Sequence, residues 1–268
     1  MIRKPAVAGR FYPGEAGELR RMVQGFIAPS GNRRKAIGLV VPHAGYVYSG
    51  PVAGAVYSSI HLPARNIVLC PNHTGFGPPL SIMKSGSWQT PLGEMPIDEE
   101  LSEALMAADP QLQDDMEAHR FEHATEVQLP FMQQCGPAGL RFVPLTIGTG
   151  SFDRLQKLGQ AIAKVVEQVA PEALIIASSD MNHYESDAIT RVKDRKAIDQ
   201  ILAMNPEGLF ETVKREKISM CGYGPTVAML TASKLLGAAT AELVKYATSG
   251  EASLDFDYVV GYAGLLIS

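Results

Sequence analysis

Two short apolar runs of the sequence end in nearly the same way, on a histidine. In VVPHAGYVYSG (Val40 to Gly50) and VLCPNHTGFG (Val68 to Gly77), the run breaks at a proline and is followed by His43 or His73. A glycine after each histidine permits a sharp turn or a close approach of backbone to a ligand. Because imidazole suits iron, copper, nickel and zinc, two such residues could bind one metal ion. For either residue alone, the alternative is a loop histidine hydrogen-bonded to a carbonyl.

A third apolar run, LIIASSDMNHY (Leu174 to Tyr184), ends on Asp180 and His183. A carboxylate beside an imidazole could orient the ring and raise its basicity. A histidine held in this way acts as a general acid or base near neutral pH. The alternative is an aspartate that only caps the junction between strand and loop.

Cys221 lies in ISMCGYGPTVAML, a glycine-rich loop directly before a predicted helix that starts near Pro225. The free amides at a helix N-terminus favour a thiolate and lower the pKa of a thiol. Such a thiolate could be a nucleophile or a soft metal ligand. The alternative is a buried thiol without chemistry, which we expect of Cys70 and Cys135.

The segment EHATEVQLPF places His123 and Glu126 three residues apart, on one face of a helical turn. They could be two metal ligands or, alternatively, a surface ion pair. Apolar residues four and eight positions after His123 put it near a buried stripe, which indicates a role at the rim of a site. The remaining histidines, His61 and His119, have polar or charged neighbours, and we expect both to be solvent-exposed.

The elements that position these residues are predicted to alternate between strands and helices. Near-continuous apolar runs predict strands covered on both faces, at Ile37–Val41, Asn66–Cys70, Arg141–Ile147, Ala173–Ser178, in AELVKYATSG and in DYVVGYAGLLIS. Apolar residues at helical spacing predict helices at Ala16–Phe26, Glu99–Ala107, Phe152–Val169, Asp187–Met204 and Pro225–Leu236. This alternation predicts a layered α/β domain with ligands beyond the carboxyl ends of its strands.

Composition excludes several classes of protein. With 46% hydrophobic and 19% charged residues, the 268-residue chain resembles an ordinary globular protein, and we expect one domain over residues 1–268. A net charge of −4 argues against general nucleic-acid binding. No window approaches the roughly 18 uninterrupted apolar residues that span a bilayer, and the amino terminus lacks a signal-peptide core. Three widely spaced cysteines do not suggest a disulfide framework, so we expect a reducing, cytoplasmic location.

Nine motifs, in this order along the chain, resemble those of the Memo family and of its bacterial and archaeal branch. They are RKPAVAGRFYP, PHAGYVYSG, PNHTG, TPLGEMPID, EHATEVQLPF, FVPLTIG, IASSDMNHY, MCGYGP and VGYAGLLI. Through Memo, the chain is distantly similar to the class III extradiol ring-cleaving dioxygenases. The resemblance implies a three-layer α/β/α domain with a central, mostly parallel or mixed sheet.

The resemblance also implies a metal site formed by His43, His73 and Cys221. The dioxygenases bind ferrous iron with two histidines and one carboxylate, so a cysteine in the third position departs from their pattern. A thiolate softens the site and shifts its preference toward copper(I) or zinc. Iron(II) is the expected metal, copper and zinc are alternatives, and ring cleavage does not simply carry over.

The remaining roles implied by the resemblance are catalytic. His183 corresponds to the acid/base histidine of the dioxygenases, with Asp180 beside it, while His123 or Tyr46 would shape the entrance and contact substrate. Some relatives are associated with a radical SAM protein and an AMMECR-type protein, which suggests these as partners. The substrate is expected to be a small molecule or a peptide.

Four functions are compatible with these residues. The first is a non-haem iron-dependent oxidoreductase, and the second is a zinc hydrolase with His183 as general base. A metal-free enzyme with Cys221 as nucleophile is the third. The fourth is a module that binds a peptide or protein in a pocket that survives from a dioxygenase-like ancestor.

Overall fold

The computed structural model describes residues 1–28 and 33–268. The strands are β1 (Ile2–Arg3), β2 (Gly38–Val41), β3 (Arg65–Pro71), β4 (Leu80–Ile82), β5 (Ser87–Thr90), β6 (Gly93–Pro96), β7 (Gln113–Asp114), β8 (Arg141–Ile147), β9 (Leu174–Ser178), β10 (His183–Glu185), β11 (Ala241–Thr248) and β12 (Val259–Ile267). Strands β1, β5 and β6 form a small separate sheet, and the other nine belong to the main sheet.

Helices connect most of these strands. They are α1 (Ala16–Phe26), α2 (Tyr46–Ser58), α3 (Glu99–Ala108), α4 (Glu117–Arg120), α5 (His123–Glu126), α6 (Leu129–Cys135), α7 (Phe152–Val169), α8 (Asp187–Leu202), α9 (Pro206–Arg215), α10 (Tyr223–Leu235) and α11 (Gly250–Ser253). Within the described ranges, no helix combines the length and the apolar character that crossing a membrane requires.

The main sheet has a parallel centre and antiparallel additions on both sides. Its order is β10–β12–β2–β9–β3–β8–β4–β7, with β11 also pairing with β12. Strands β2, β9, β3 and β8 run parallel to one another. Strand β12 is antiparallel to β2, and β4 is antiparallel to β8. The carboxyl ends of the four central strands therefore meet at one edge of a mixed sheet.

Alternate side chains of the central strands fill two cores, one on each face of the sheet. Leu39 and Val41 point into the core beneath α1, α2 and α6, whereas Val40 points into the core beneath α3 and α7 to α10. This alternation follows from the two-residue period of a strand. Because helices cover both faces, the expected three-layer α/β/α fold is confirmed.

The five helices predicted from apolar spacing are present as α1, α3, α7, α8 and α10, whereas α2 and α9 are among those that were not predicted. Helix α2 contains Pro51 and has nine buried residues, so no helical periodicity marks it. Helix α9 begins at Pro206 and was also not predicted, although its stripe of buried residues is regular. The small sheet was missed because its strands have two to four residues.

Candidate metal centre

The centre lies at the carboxyl edge of three neighbouring parallel strands. Strands β2, β9 and β3 are adjacent, and they end at Val41, Ser178 and Pro71. His43 and His73 each follow two residues after their strand, in loops that place them at the same edge. The prediction that several strands deliver polar side chains to one edge is confirmed.

Three histidines form a compact group at this edge. His43, His73 and His123 each offer a ring nitrogen, and these nitrogens all lie within 4.8 Å of one another. The ring centroids are 5.2 Å apart for His43 and His73, and 4.6 Å apart for His73 and His123. The His43 side chain is only 2% exposed, whereas His73 is 31% and His123 is 22% exposed. One side of the group therefore faces solvent.

Hydrogen bonding determines which nitrogen of His43 is free. Its Nδ1 lies 2.9 Å from the Ser178 hydroxyl. That hydroxyl donates its single hydrogen to the Ala124 carbonyl at 2.7 Å, and it accepts from the Gln128 amide at 2.8 Å. His43 Nδ1 must therefore carry the hydrogen, which leaves the Nε2 lone pair free for a metal.

A buried carboxylate determines which ring nitrogen of His73 carries the hydrogen. Glu122 Oε1 lies 2.9 Å from His73 Nδ1, and Oε2 accepts from the His73 backbone amide at 2.7 Å. Burial opposes the charge on both groups, but their hydrogen bond outweighs it: the pKa of His73 is raised and that of Glu122 is lowered. Since a carboxylate only accepts, His73 Nδ1 is protonated and Nε2 is available.

The donor set fits a divalent transition metal. Burial and the neighbouring imidazoles hold the pKa of His43 well below its usual range, and burial lowers the pKa of His123 to about 4. Both rings are therefore neutral near pH 7, which is the form that binds a metal. Three imidazoles close together, with one side facing solvent, could therefore hold a metal ion.

Cys221 lies beside this group and contacts one member of it. Its Sγ is 3.2 Å from His43 Nε2 and accepts from the Asp180 amide at 3.3 Å. The mutually close group contains His123, which the sequence analysis placed at the rim, and does not contain Cys221. The expected lowering of the thiol pKa is wrong, because burial and the Asp180 carboxylate raise it well above its usual range.

Asp180 and His183 do not form the expected pair. Asp180 Oδ1 accepts from the His43 backbone amide at 2.7 Å, and burial raises the pKa of this carboxyl to about 7. His183 instead uses Ser219: its Nδ1 donates to the Ser219 carbonyl at 3.0 Å, and its backbone amide donates to the Ser219 hydroxyl at 2.7 Å. Ser219 therefore orients His183 and leaves Nε2 free to exchange a proton.

Two residues singled out in the sequence, Tyr46 at the expected entrance and Glu126 beside His123, are core residues. Tyr46 is 2% exposed, and its hydroxyl donates to the Val127 carbonyl at 2.6 Å, so it is a packing residue. Glu126 is fully buried, forms an ion pair with Arg3 and is not in the mutually close group, so it is neither a surface ion-pair partner of His123 nor a member of its metal-binding group.

His119 and His61 differ in their surroundings. The expectation of an exposed His119 is wrong: the residue is fully buried, with Nδ1 3.0 Å from the Thr146 hydroxyl. His61 is exposed, as expected.

Sequence reasoning missed Glu122, Ser178 and Ser219 as partners of the histidines. Glu122 directly precedes His123, and an acidic residue next to a candidate ligand is the signal that could have identified it. Ser178 is the last residue of a predicted strand, which gives no signal for its hydrogen bond to His43. For Ser219 the sequence carries no signal, because its contact with the His183 ring uses the backbone carbonyl.

Comparisons with known proteins agree with the motifs. The family model for Memo-like protein matches residues 3–266. A MEMO1 family protein from Methanopyrus kandleri is 41% identical, and the match covers 99% of each chain. One from Methanothermobacter thermautotrophicus is 39% identical over 99% of this chain and 100% of that protein. Another, from Methanococcus maripaludis, is 42% identical over the full length of both chains.

A solved structure supports the fold. An uncharacterised protein from Escherichia coli K12 superposes with a TM-score of 0.57 at 13% identity, covering 87% of this chain and 100% of that one. At this identity the likeness concerns the fold alone. The family model and the relatives at about 40% identity carry the assignment: the chain belongs to the Memo family.

Proposed function

We propose that the protein is a metal-dependent oxidoreductase that uses iron(II) bound by His43, His73 and His123. The observation that carries this proposal is the convergence of three imidazole nitrogens within 4.8 Å, on a side that solvent can reach. The substrate would be a small molecule or a peptide segment that approaches from that side.

The neighbouring residues suggest how the chain would support such chemistry. A bound iron ion would supply Lewis-acid and one-electron chemistry at the open side of the group. His183 would exchange a proton through Nε2, because the Ser219 carbonyl holds its Nδ1 hydrogen. The buried His43, with Asp180 against its backbone amide, would keep water from the inner side of the site.

The choice of iron rests on two arguments. Imidazole ligands suit iron, zinc and copper alike, so the ligands alone do not select a metal. The distant similarity to class III extradiol dioxygenases favours iron and redox chemistry. Cys221 lies outside the mutually close group. It therefore shifts the metal preference toward copper(I) or zinc less than a cysteine that binds the metal directly.

Metal binding by anaerobically purified protein tests the proposal. We expect elemental analysis to find iron, and titration with iron(II), copper(I) and zinc to show one site per chain. His123→Ala should weaken iron binding on the order of 100-fold, whereas Cys221→Ser should change it several-fold at most, because losing a ligand outweighs losing a neighbour. His61→Ala, which changes an exposed histidine, is the matched control.

Two outcomes would contradict this proposal. Wild-type protein that takes up no iron without air would exclude an iron enzyme. Large loss of binding in Cys221→Ser together with retention in His123→Ala would assign the third position to the cysteine.

A zinc hydrolase is the second candidate, and the three-histidine set itself favours it. Three histidines plus water form a known catalytic zinc arrangement, in which the water has a pKa of about 7. His183 would then be the general base. Zinc in the purified protein and hydrolytic activity that iron does not support would favour this function over the first.

A further inference from the structure

We propose that Glu122 is a positioning residue that holds the rings of His73 and His123 in their metal-binding orientation. This inference rests on the proposed function of the three-histidine group. Oxygen Oε1 lies 2.9 Å from His73 Nδ1 and 3.5 Å from His123 Nδ1, so one carboxylate faces both rings. Oxygen Oε2 accepts from the His73 backbone amide at 2.7 Å, which fixes the loop as well as the ring.

The position of Glu122 is itself strongly constrained. Its side chain is fully buried, and Oε1 also accepts from the Ala124 amide at 2.9 Å, which caps the start of α5. Its backbone carbonyl accepts from Arg3 Nη2 at 2.8 Å, and Arg3 Nε donates to the His119 carbonyl at 3.1 Å. Arg3 therefore fixes the backbone of the segment that contains Glu122 and His123.

His43 and His73 donate their Nδ1 hydrogens to acceptors of different charge. His43 donates Nδ1–H to the neutral Ser178 hydroxyl, whereas His73 donates to a carboxylate. A hydrogen bond to a charged acceptor is roughly twice as strong as one between neutral groups, and it makes the opposite nitrogen a stronger donor to a metal. Glu122 therefore contributes both orientation and donor strength, and a neutral replacement should reduce both.

Glu122→Gln tests this role with little change in shape. An amide has one oxygen and one NH2 group, and N–H donors face both Glu122 oxygens: His73 Nδ1 and Ala124 on one, the His73 amide on the other. One amide orientation therefore opposes two donors, and the other opposes one. Titration with cobalt(II) and with zinc should show a Kd about 10- to 100-fold weaker than in the wild-type protein.

Asp98→Asn is the matched control for removing a buried charge. Asp98 is 1% exposed and accepts from Arg65 at the beginning of β3, the end of that strand away from the histidines. We expect this variant to lower stability and to leave the metal Kd unchanged. Equal weakening of metal binding in both variants would assign the effect of Glu122→Gln to general destabilisation and overturn the inference.

A second readout needs no metal. Nitrogen–proton NMR of the imidazoles should show the Nδ1–H tautomer of His73 in metal-free wild-type protein, and a mixture of tautomers in Glu122→Gln. If Glu122→Gln does not fold, Glu122→Asp replaces it: with the shorter carboxylate, the histidine group should bind cobalt(II) several-fold more weakly than in the wild-type protein.

The outcomes separate the two proposals. Wild-type protein that binds none of these metals defeats the proposed function, whereas the tautomer measurement still tests Glu122. Wild-type protein that binds metal, with unchanged Kd and unchanged His73 tautomer in the Glu122 variants, overturns the positioning role alone.

Discussion

At the scale of single residues, groups that can only accept determine where the ring protons lie. The Glu122 carboxylate accepts from His73, and the Ser219 carbonyl accepts from His183. His43 is one step removed, because the Ala124 carbonyl takes the Ser178 hydrogen and makes that hydroxyl an acceptor. The free nitrogens of the site therefore follow from three acceptors outside the ligand set.

His119 provides a pH prediction at this scale. It is fully buried, and its Nε2 has no partner in the described residues. Burial, and then the nearby Arg3, lower its pKa to about 3, whereas an unfolded histidine has a pKa of about 6.5. Between these values only the unfolded chain binds the proton, so stability falls as pH drops below 6.5.

Urea unfolding at pH 7 and pH 5 measures this effect. His119 should contribute a loss of about 2 kcal/mol in the free energy of unfolding between these two pH values. His119→Asn, which does not titrate, should show a pH difference smaller by about that amount, even though the variant is less stable at both. His61→Asn should retain the wild-type difference, and equal pH differences in all three proteins would contradict the prediction.

The sequence predicted residues best where strands determine their position. His43 and His73 follow buried strands, so their convergence could be inferred from the pattern. His119 could not be placed, because its charged neighbours suggest exposure whereas tertiary packing buries it. Glu122 faces the histidines and Glu126 does not, because the buried Arg3 pairs with the Glu126 carboxylate and with the Glu122 carbonyl. Arg3 is more than 100 residues away from both along the chain, so no local pattern predicts this pairing.

At the scale of elements, the agreement between prediction and structure depends on periodicity. Helices α1 and α7 begin and end at the predicted residues, because each has one buried stripe and a polar opposite face. Helix α2 begins directly after the turn that follows His43. It is buried on several sides, so its apolar residues do not recur at helical spacing. The short strands of the small sheet are defined by pairing across the chain rather than by local pattern.

The packing of α7 against α10 leads to a prediction about two glycines. A Cβ added at Gly159 in α7 would lie 2.6 Å from the Ala228 carbonyl oxygen and 2.6 Å from Thr231 Cβ. Because backbone cannot move aside easily, Gly159→Ala should destabilise the protein by roughly 1–3 kcal/mol. Gly25 in α1 is exposed, and within the described residues a Cβ added there meets no atom within 4 Å beyond its own helix backbone, so Gly25→Ala should stabilise by roughly 0.5–1 kcal/mol.

Chemical denaturation of both variants distinguishes close packing from helix propensity. Although the two substitutions are chemically identical, opposite signs of the change in unfolding free energy are expected, because only Gly159 lies against a neighbouring helix. A stabilised Gly159→Ala would show that α7 and α10 can separate without cost, against the contact described above.

At the scale of the whole molecule, the site joins segments that are far apart in the chain. The histidines come from the ends of β2 and β3 and from the start of α5, and Ser178 comes from the end of β9. The amino-terminal segment also contributes, since Phe11 lies against His123 with ring centroids 4.8 Å apart. A ligand that binds all three histidines therefore contacts only the folded arrangement, because the unfolded chain does not bring these residues together.

Metal binding should consequently stabilise the whole protein. At a free metal concentration 100 times Kd, the free energy of unfolding should rise by about 2.7 kcal/mol. Thermal unfolding of metal-depleted protein with added iron(II) under anaerobic conditions, or with zinc, measures this as a concentration-dependent rise in Tm that a chelator reverses. His73→Ala should lose the rise, because it removes a ligand that Glu122 holds in place, whereas His61→Ala should keep it. An equal rise in Tm in His73→Ala would mean that the metal binds elsewhere. Stabilisation by metal would then not depend on the histidine group.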